Sequence, residues 1–176
     1  MKIGLCGTMS VGKTTLVNAL KSLPEFEGYK FRTERSKYLM EMGIPVNTDS
    51  TVKGQTVFLA ERASELMQDN IITDRTIIDV MAFAKASSSM YYSEAEDFCT
   101  HAANMLKEYD HIFYISPKGV DIEDNGVRET NEDYRKLIDE TIQLLLIKYR
   151  HKLKNITFIS GSVEERVESI KQAVSL

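Results

Sequence analysis

Eight residues near the start of the chain, Gly7-Thr8-Met9-Ser10-Val11-Gly12-Lys13-Thr14, have the types and spacing of G-x-x-x-x-G-K-[ST]. The glycines let a backbone wrap close to a polyphosphate so that successive N–H groups point inward. A helix opening at the end of the loop adds partial positive charge. Lys13 would set an ammonium on the β- and γ-phosphates, and Thr14 would offer a hydroxyl to Mg²⁺. Gly7, Thr8, Met9, Ser10, Val11, Gly12, Lys13, Thr14 and the adjoining Thr15 are thus the expected seat of a nucleoside triphosphate, with Lys13 expected to face solvent before ligand arrives. The alternative is a chance match in a glycine-containing turn. The flanks argue against chance: Ile3-Gly4-Leu5-Cys6 is a buried-strand run, and Leu16, Val17, Leu20 and Leu23 share one helical face.

Two further carboxylates, Glu34 and Asp74, fall where a second and a third strand should end. In an open parallel sheet that edge is where ligands bind. Transfer of a phosphoryl group to a hydroxyl needs a carboxylate to orient or accept the proton, and carboxylates that steer Mg²⁺. The competing readings are a helix N-terminal acid for Glu34 and surface ion pairs for Arg35 and Arg75. Asp79 reads as the capping-box partner of Thr76. Asp49, Ser50, Thr51, Lys53 and Gln55 form a polar cluster that suits a helix entry, although Gln55 could read a base edge. Tyr91 and Tyr92 could stack on a base, against a default of packing or surface placement.

The elements that must hold these residues follow from periodicity. Tyr29 to Thr33 alternates as a strand and is followed by a short helix to about Met42, with Gly43 as its C-cap. Val52, Leu59, Ala63 and Leu66 recur at helical spacing. Asn70 to Thr73 is a third strand, and Ile77, Val80, Met81 and Ala84 lie on the helix after it. Ser93-x-x-Glu96 and Thr130-x-x-Asp133 read as caps for two more helices, and Ser162-x-x-Glu165 for the last. His111 to Ile115 and Ile156 to Ile159 complete five strands. Strict alternation of strand and helix predicts an α/β fold: a five-stranded parallel sheet with helices on both faces, in one domain over 1–176. The irregular, polar segment 117–130 is expected to be a functional loop.

The P-loop at the N-terminus, Arg32-Thr33-Glu34-Arg35, Ile72-Thr73-Asp74-Arg75-Thr76, Gly126-Val127-Arg128 and Tyr134-Arg135 together resemble the small P-loop kinases often found in bacteriophage genomes. These are similar to the ribosylnicotinamide kinase domain of a bifunctional NAD-biosynthesis regulator, and more distantly to deoxynucleoside and nucleoside monophosphate kinases. The resemblance extends to phage kinases that phosphorylate 5-hydroxymethyluracil in DNA. It implies a P-loop NTPase fold, ATP and Mg²⁺, and a nucleoside, nucleotide or modified-DNA acceptor. It implies Lys13, Glu34, Asp74 and Arg128 as catalytic residues, with Glu34 matching the strand-two base. Glu34, Arg35 and Arg75 are implied on the substrate, and Thr14 and Asp74 at the metal. Arg128 would belong to a lid at 117–130 that closes over the phosphates; a solvated loop arginine is the alternative. Arg135 faces the same region if its helix begins near Asn131; a surface residue is the equal alternative.

Composition narrows the field. The 176 residues are 43% apolar and carry 26 acidic against 22 basic side chains, a formal charge of -4, which argues against a surface that grips nucleic acid throughout. The basic run Lys148, Arg150, His151, Lys152 and Lys154 reads as a solvated helix end. Cys6 and Cys99 read as buried hydrophobes without metal-ligand spacing. The apolar N-terminal run is too short for a signal peptide or a membrane span, so a cytoplasmic protein is expected, in the host cytoplasm if phage-encoded. N-K-x-D, the guanine-reading pattern of GTPases, does not occur. Two functions stand: an ATP-dependent kinase of a nucleotide-like acceptor, and a P-loop ATPase that drives or regulates a protein partner.

Overall fold

The structure, a computed structural model, describes residues 1–33, 35–120 and 131–175. Glu34, Gly126, Val127 and Arg128 therefore lie outside the described residues. Five strands, β1 (Lys2–Cys6), β2 (Lys30–Arg32), β3 (Ile71–Asp74), β4 (His111–Ile115) and β5 (Ile156–Ile159), form one all-parallel sheet in the order β2-β3-β1-β4-β5. Among the described residues seven α-helices connect or follow them: α1 (Lys13–Lys21), α2 (Ser36–Glu41), α3 (Val52–Glu65), α4 (Ile77–Lys85), α5 (Tyr92–Ala102), α6 (Glu132–Lys148) and α7 (Val163–Val174).

The strands carry apolar residues on both sides because both faces are covered. Ile3, Leu5, Phe113 and Ile115 join Leu16, Val17 and Leu20 of α1 and Ile170 and Val174 of α7 in one apolar layer. Cys6, Ile112 and Tyr114, pointing the other way, join side chains of α3, α4, α5 and α6 in the second. Gly4 is required here by close approach. A Cβ on it would lie 2.5 Å from the Thr76 methyl and 2.9 Å from the Tyr109 ring. Both cysteines are free and buried, as the sequence indicates.

Local starts differ from the sequence reading in two helices. Ser93 does not cap α5. Glu94 reaches back to the Tyr91 N–H at 2.8 Å, while Glu96 is taken by Lys85 and Lys148. Asn131 caps α6, its side-chain oxygen accepting from the N–H groups of Asp133 and Tyr134 at 2.8 and 3.2 Å, while Thr130, the expected cap, lies outside the described residues. The Thr76/Asp79 and Ser162/Glu165 capping boxes form as expected. Among the described residues no helix is long and apolar enough to cross a membrane.

Candidate active site

The site lies at the C-terminal edge of the sheet, where pairing brings distant residues together. Leu5 of β1 stands beside Asp74 of β3. The loop leaving β1 therefore begins next to the Asp74 carboxylate, and Thr14 Oγ donates to Asp74 Oδ2 at 2.5 Å. Asp74 is buried, and its other oxygen, Oδ1, has no hydrogen-bond partner. A hydroxyl beside a carboxylate with an unused oxygen is a set of hard oxygen donors suited to Mg²⁺. Gly12 has φ of 81°, a left-handed conformation that favours glycine, at the entry of α1. At Gly7 a Cβ would meet the Ile115 carbonyl at 2.8 Å. The loop thus keeps the open backbone that a polyphosphate needs.

Lys13 departs from expectation. Its side chain does not face solvent. The ammonium is buried and donates to the carbonyls of Gly7 and Thr8 at 2.6 and 2.7 Å. Burial, and then the neighbouring Arg75, lower its pKa, while Asp79 and Asp74 oppose the shift. A triphosphate would have to draw the ammonium off these two carbonyls.

A model of a family described as AAA domain matches residues 2–166. The chain belongs to the AAA domain family. No curated protein matches it by sequence. Among solved structures this AAA domain is similar to a deoxyadenosine kinase from M. mycoides with bound dCTP, at 19% identity and a TM-score of 0.67, over 99% of both chains. It is also similar to thymidylate kinase from Candida albicans, at 15% identity and a TM-score of 0.71, over 98% of this chain and 90% of that one. A third likeness, at 13% identity and a TM-score of 0.67, is to thymidylate kinase from Ehrlichia chaffeensis, over 100% and 98%. These likenesses establish a P-loop NTPase fold for the AAA domain.

Two cavities meet at Arg75. One, about 550 Å³, lies over the loop and is lined by residues Met9 to Thr15 with Asp74, Arg75 and Val120. The other is lined by Ser36, Val46, Asn47, Gln55, Phe58, Arg75, Val80 and Phe83. Arg75 has φ of 86°, uncommon for a residue with a side chain, and its guanidinium sits 4.7 Å from the centre of the Phe83 ring. Gln55 is 3% exposed and projects from α3 into the second cavity. Arg35 is not drawn into either cavity. It pairs with Glu61 at 3.3 Å and lies over Tyr38. Tyr91 and Tyr92 are exposed. Of the basic run, Lys148, Lys152 and Lys154 are paired with Glu96, Asn104 and Asp110, in keeping with a solvated helix end.

Sequence reasoning missed Arg62 and Arg166, and it placed Arg135 near the site without its hold on the loop. Arg166 of α7 donates to the Val11 carbonyl at 2.6 Å. Arg135 of α6 donates to the carbonyls of Met9 at 3.3 Å and Val120 at 2.7 Å, and its own carbonyl accepts from Thr8 Oγ at 3.0 Å. Arg62 of α3 reaches the Asp74 carbonyl at 3.3 Å. One signal was available: each arginine stands on the apolar stripe of its helix, where a charge needs a built partner.

Proposed function

We propose that this AAA domain is an ATP-dependent kinase that transfers the γ-phosphoryl group to a hydroxyl of a nucleoside, nucleotide or nucleotide-like acceptor. The observation that carries the reading is the pair of cavities joined at Arg75: one polar and glycine-walled over the P-loop, the other lined by Phe58, Phe83 and Gln55. A hydrolase needs only the first. The second brings two phenylalanines, a buried amide and Arg75 to one lining, a mix of apolar and polar groups that suits a nucleobase. The shared fold of a deoxyadenosine kinase and two thymidylate kinases supports the same class.

In this scheme Lys13 binds the β- and γ-phosphates, and Arg75 holds charge between donor and acceptor. Thr14 and Asp74 would hold Mg²⁺, which supplies charge neutralisation at the phosphate oxygens. Glu34 orients the acceptor hydroxyl and takes its proton. The acceptor oxygen bonds to the γ-phosphorus as the bond to the bridging oxygen breaks, and ADP leaves. Arg128 stabilises the charge that develops on the transferring group. The finer acceptor reading is 5-hydroxymethyluracil in phage DNA, with the protein acting in the host cytoplasm; it rests on the motif resemblance alone.

The test is γ-labelled ATP with three acceptor sets: nucleosides, nucleoside monophosphates, and DNA containing 5-hydroxymethyluracil. Label should move to one set, and Lys13→Ala should abolish the transfer while remaining folded by circular dichroism. Steady ADP release with no labelled acceptor in any set would replace the kinase by the ATPase reading.

A further inference from the structure

The side chain of Asp79 is fully buried, at 0% exposure, in the first turn of α4. A capping box accounts for one of its oxygens: Oδ2 accepts from the Thr76 N–H at 2.7 Å and from Thr76 Oγ at 2.8 Å. It does not account for the other. Oδ1 accepts from the backbone N–H of Gly7, 72 residues away in sequence, at 3.1 Å.

We propose that Asp79 is a positioning residue, a brace that fixes the first glycine of the phosphate-binding loop to the turn bearing Asp74 and Arg75. The inference rests on the reading that the loop binds a nucleoside phosphate. Gly7 is pinned from two sides, its N–H by Asp79 and its carbonyl by the Lys13 ammonium. When a nucleotide draws Lys13 onto its phosphates, the second bond is lost. The Asp79 bond then keeps the start of the loop in place relative to Asp74 and Arg75. A carboxylate beneath an anion-binding loop is otherwise unfavourable by charge, so geometry is what it contributes. Asparagine cannot substitute. Its side chain has one acceptor oxygen, and turning that oxygen to Thr76 sets an NH₂ against the Gly7 N–H, donor facing donor.

The experiment compares MgADP affinity by calorimetry and Tm for wild type, Asp79→Asn and Thr76→Val. Thr76→Val removes the hydroxyl bonds of the cap, including the one accepted from Ile78 N–H, but leaves the Gly7 bond. Both variants should lower Tm. Asp79→Asn should weaken MgADP about tenfold or more, as befits a lost charged hydrogen bond, while Thr76→Val keeps wild-type affinity. Wild-type affinity in Asp79→Asn, or equal losses in the two variants, would reduce Asp79 to a helix cap. Wild-type protein that does not bind MgADP sinks the nucleotide reading itself. Should Asp79→Asn not fold, amide hydrogen exchange of wild type decides. The Gly7 amide should be protected with and without MgADP, and rapid exchange in the bound state overturns the brace.

Discussion

Charges buried on the apolar stripes of helices carry much of the local design. Arg62 and Glu65 of α3 pair at 2.8 Å beneath the end of β3, and Glu65 Oε2 has no hydrogen-bond partner. Burial pushes the Glu65 carboxyl up to about 7, with Glu61 and Asp74 adding to the rise and Arg62 and Arg32 opposing it. A carboxyl raised on folding stabilises most below its unfolded pKa, and that contribution is lost as pH rises through the folded value. This group should therefore cost stability between about pH 4.5 and pH 7, the interval between its ordinary and folded pKa. Glu65→Gln keeps the acceptor for Arg62 and removes the titration. Its Tm relative to wild type should rise from pH 5 to pH 8, by about 2–4 °C for each kcal/mol recovered. A difference that stays flat across that range would mean Glu65 titrates normally. In the sequence the place of Arg62 on the apolar stripe of α3 signals a buried charge, but its pairing with Glu65 and the rise of that carboxyl are not legible there. The pair sits where α3 meets the end of β3, Arg62 also donating to the Asp74 carbonyl at 3.3 Å.

Between elements, periodicity located nearly everything and capping chemistry less. The apolar rows of α1, α4, α6 and α7 and the run of β4 were readable because each is set by neighbours within a few residues. The starts of α5 and α6 were not, because particular side chains decide them: Lys85 and Lys148 engage Glu96, and Asn131 supplies the acceptor at the start of α6. Arg135 has the same lesson for function. It was a candidate for contact with phosphate, yet its guanidinium is committed to the carbonyls of Met9 and Val120, tying α6 to the loop and to the stem of the 117–130 segment. Arg128, which lies outside the described residues, is the cation we propose for the transferring group. Arg128→Ala should slow phosphoryl transfer by about a hundredfold or more while changing ATP affinity little, and Arg128→Lys should recover only part, because an ammonium cannot span two oxygens. Steady-state rates with whichever acceptor set takes the label, beside ATP titrations, check this. Transfer at the wild-type rate in Arg128→Ala would make the segment a passive connector.

For the molecule as a whole, the alternation of strands and helices predicted a parallel sheet covered on both faces, and the sheet is that. Strand order was a different matter. Placing β3 beside β1, with Leu5 next to Asp74, is what turns Thr14 and Asp74 into neighbours, and no local pattern encodes it. The same order makes the phosphate-binding loop the meeting point of the architecture. Cys6 and Met9 belong to the apolar layer under α3 to α6, and Val11 to the layer under α1 and α7. Asp79 of α4, Arg135 of α6, Arg166 of α7 and Asp74 of β3 each bond to a different part of the loop or of the helix entry that ends it. A ligand that orders the loop should then act on both layers together. At a concentration of MgADP about 100 times its Kd, binding adds about 2.7 kcal/mol, which for a chain of this size corresponds to a rise in Tm of about 5–10 °C. The thermal transition should stay single and move as a unit, and Lys13→Ala should lose the shift. A transition that splits, with only one part following the nucleotide, would show the two layers to be independent, and an unmoved Tm at saturating MgADP would remove nucleotide binding from the loop altogether.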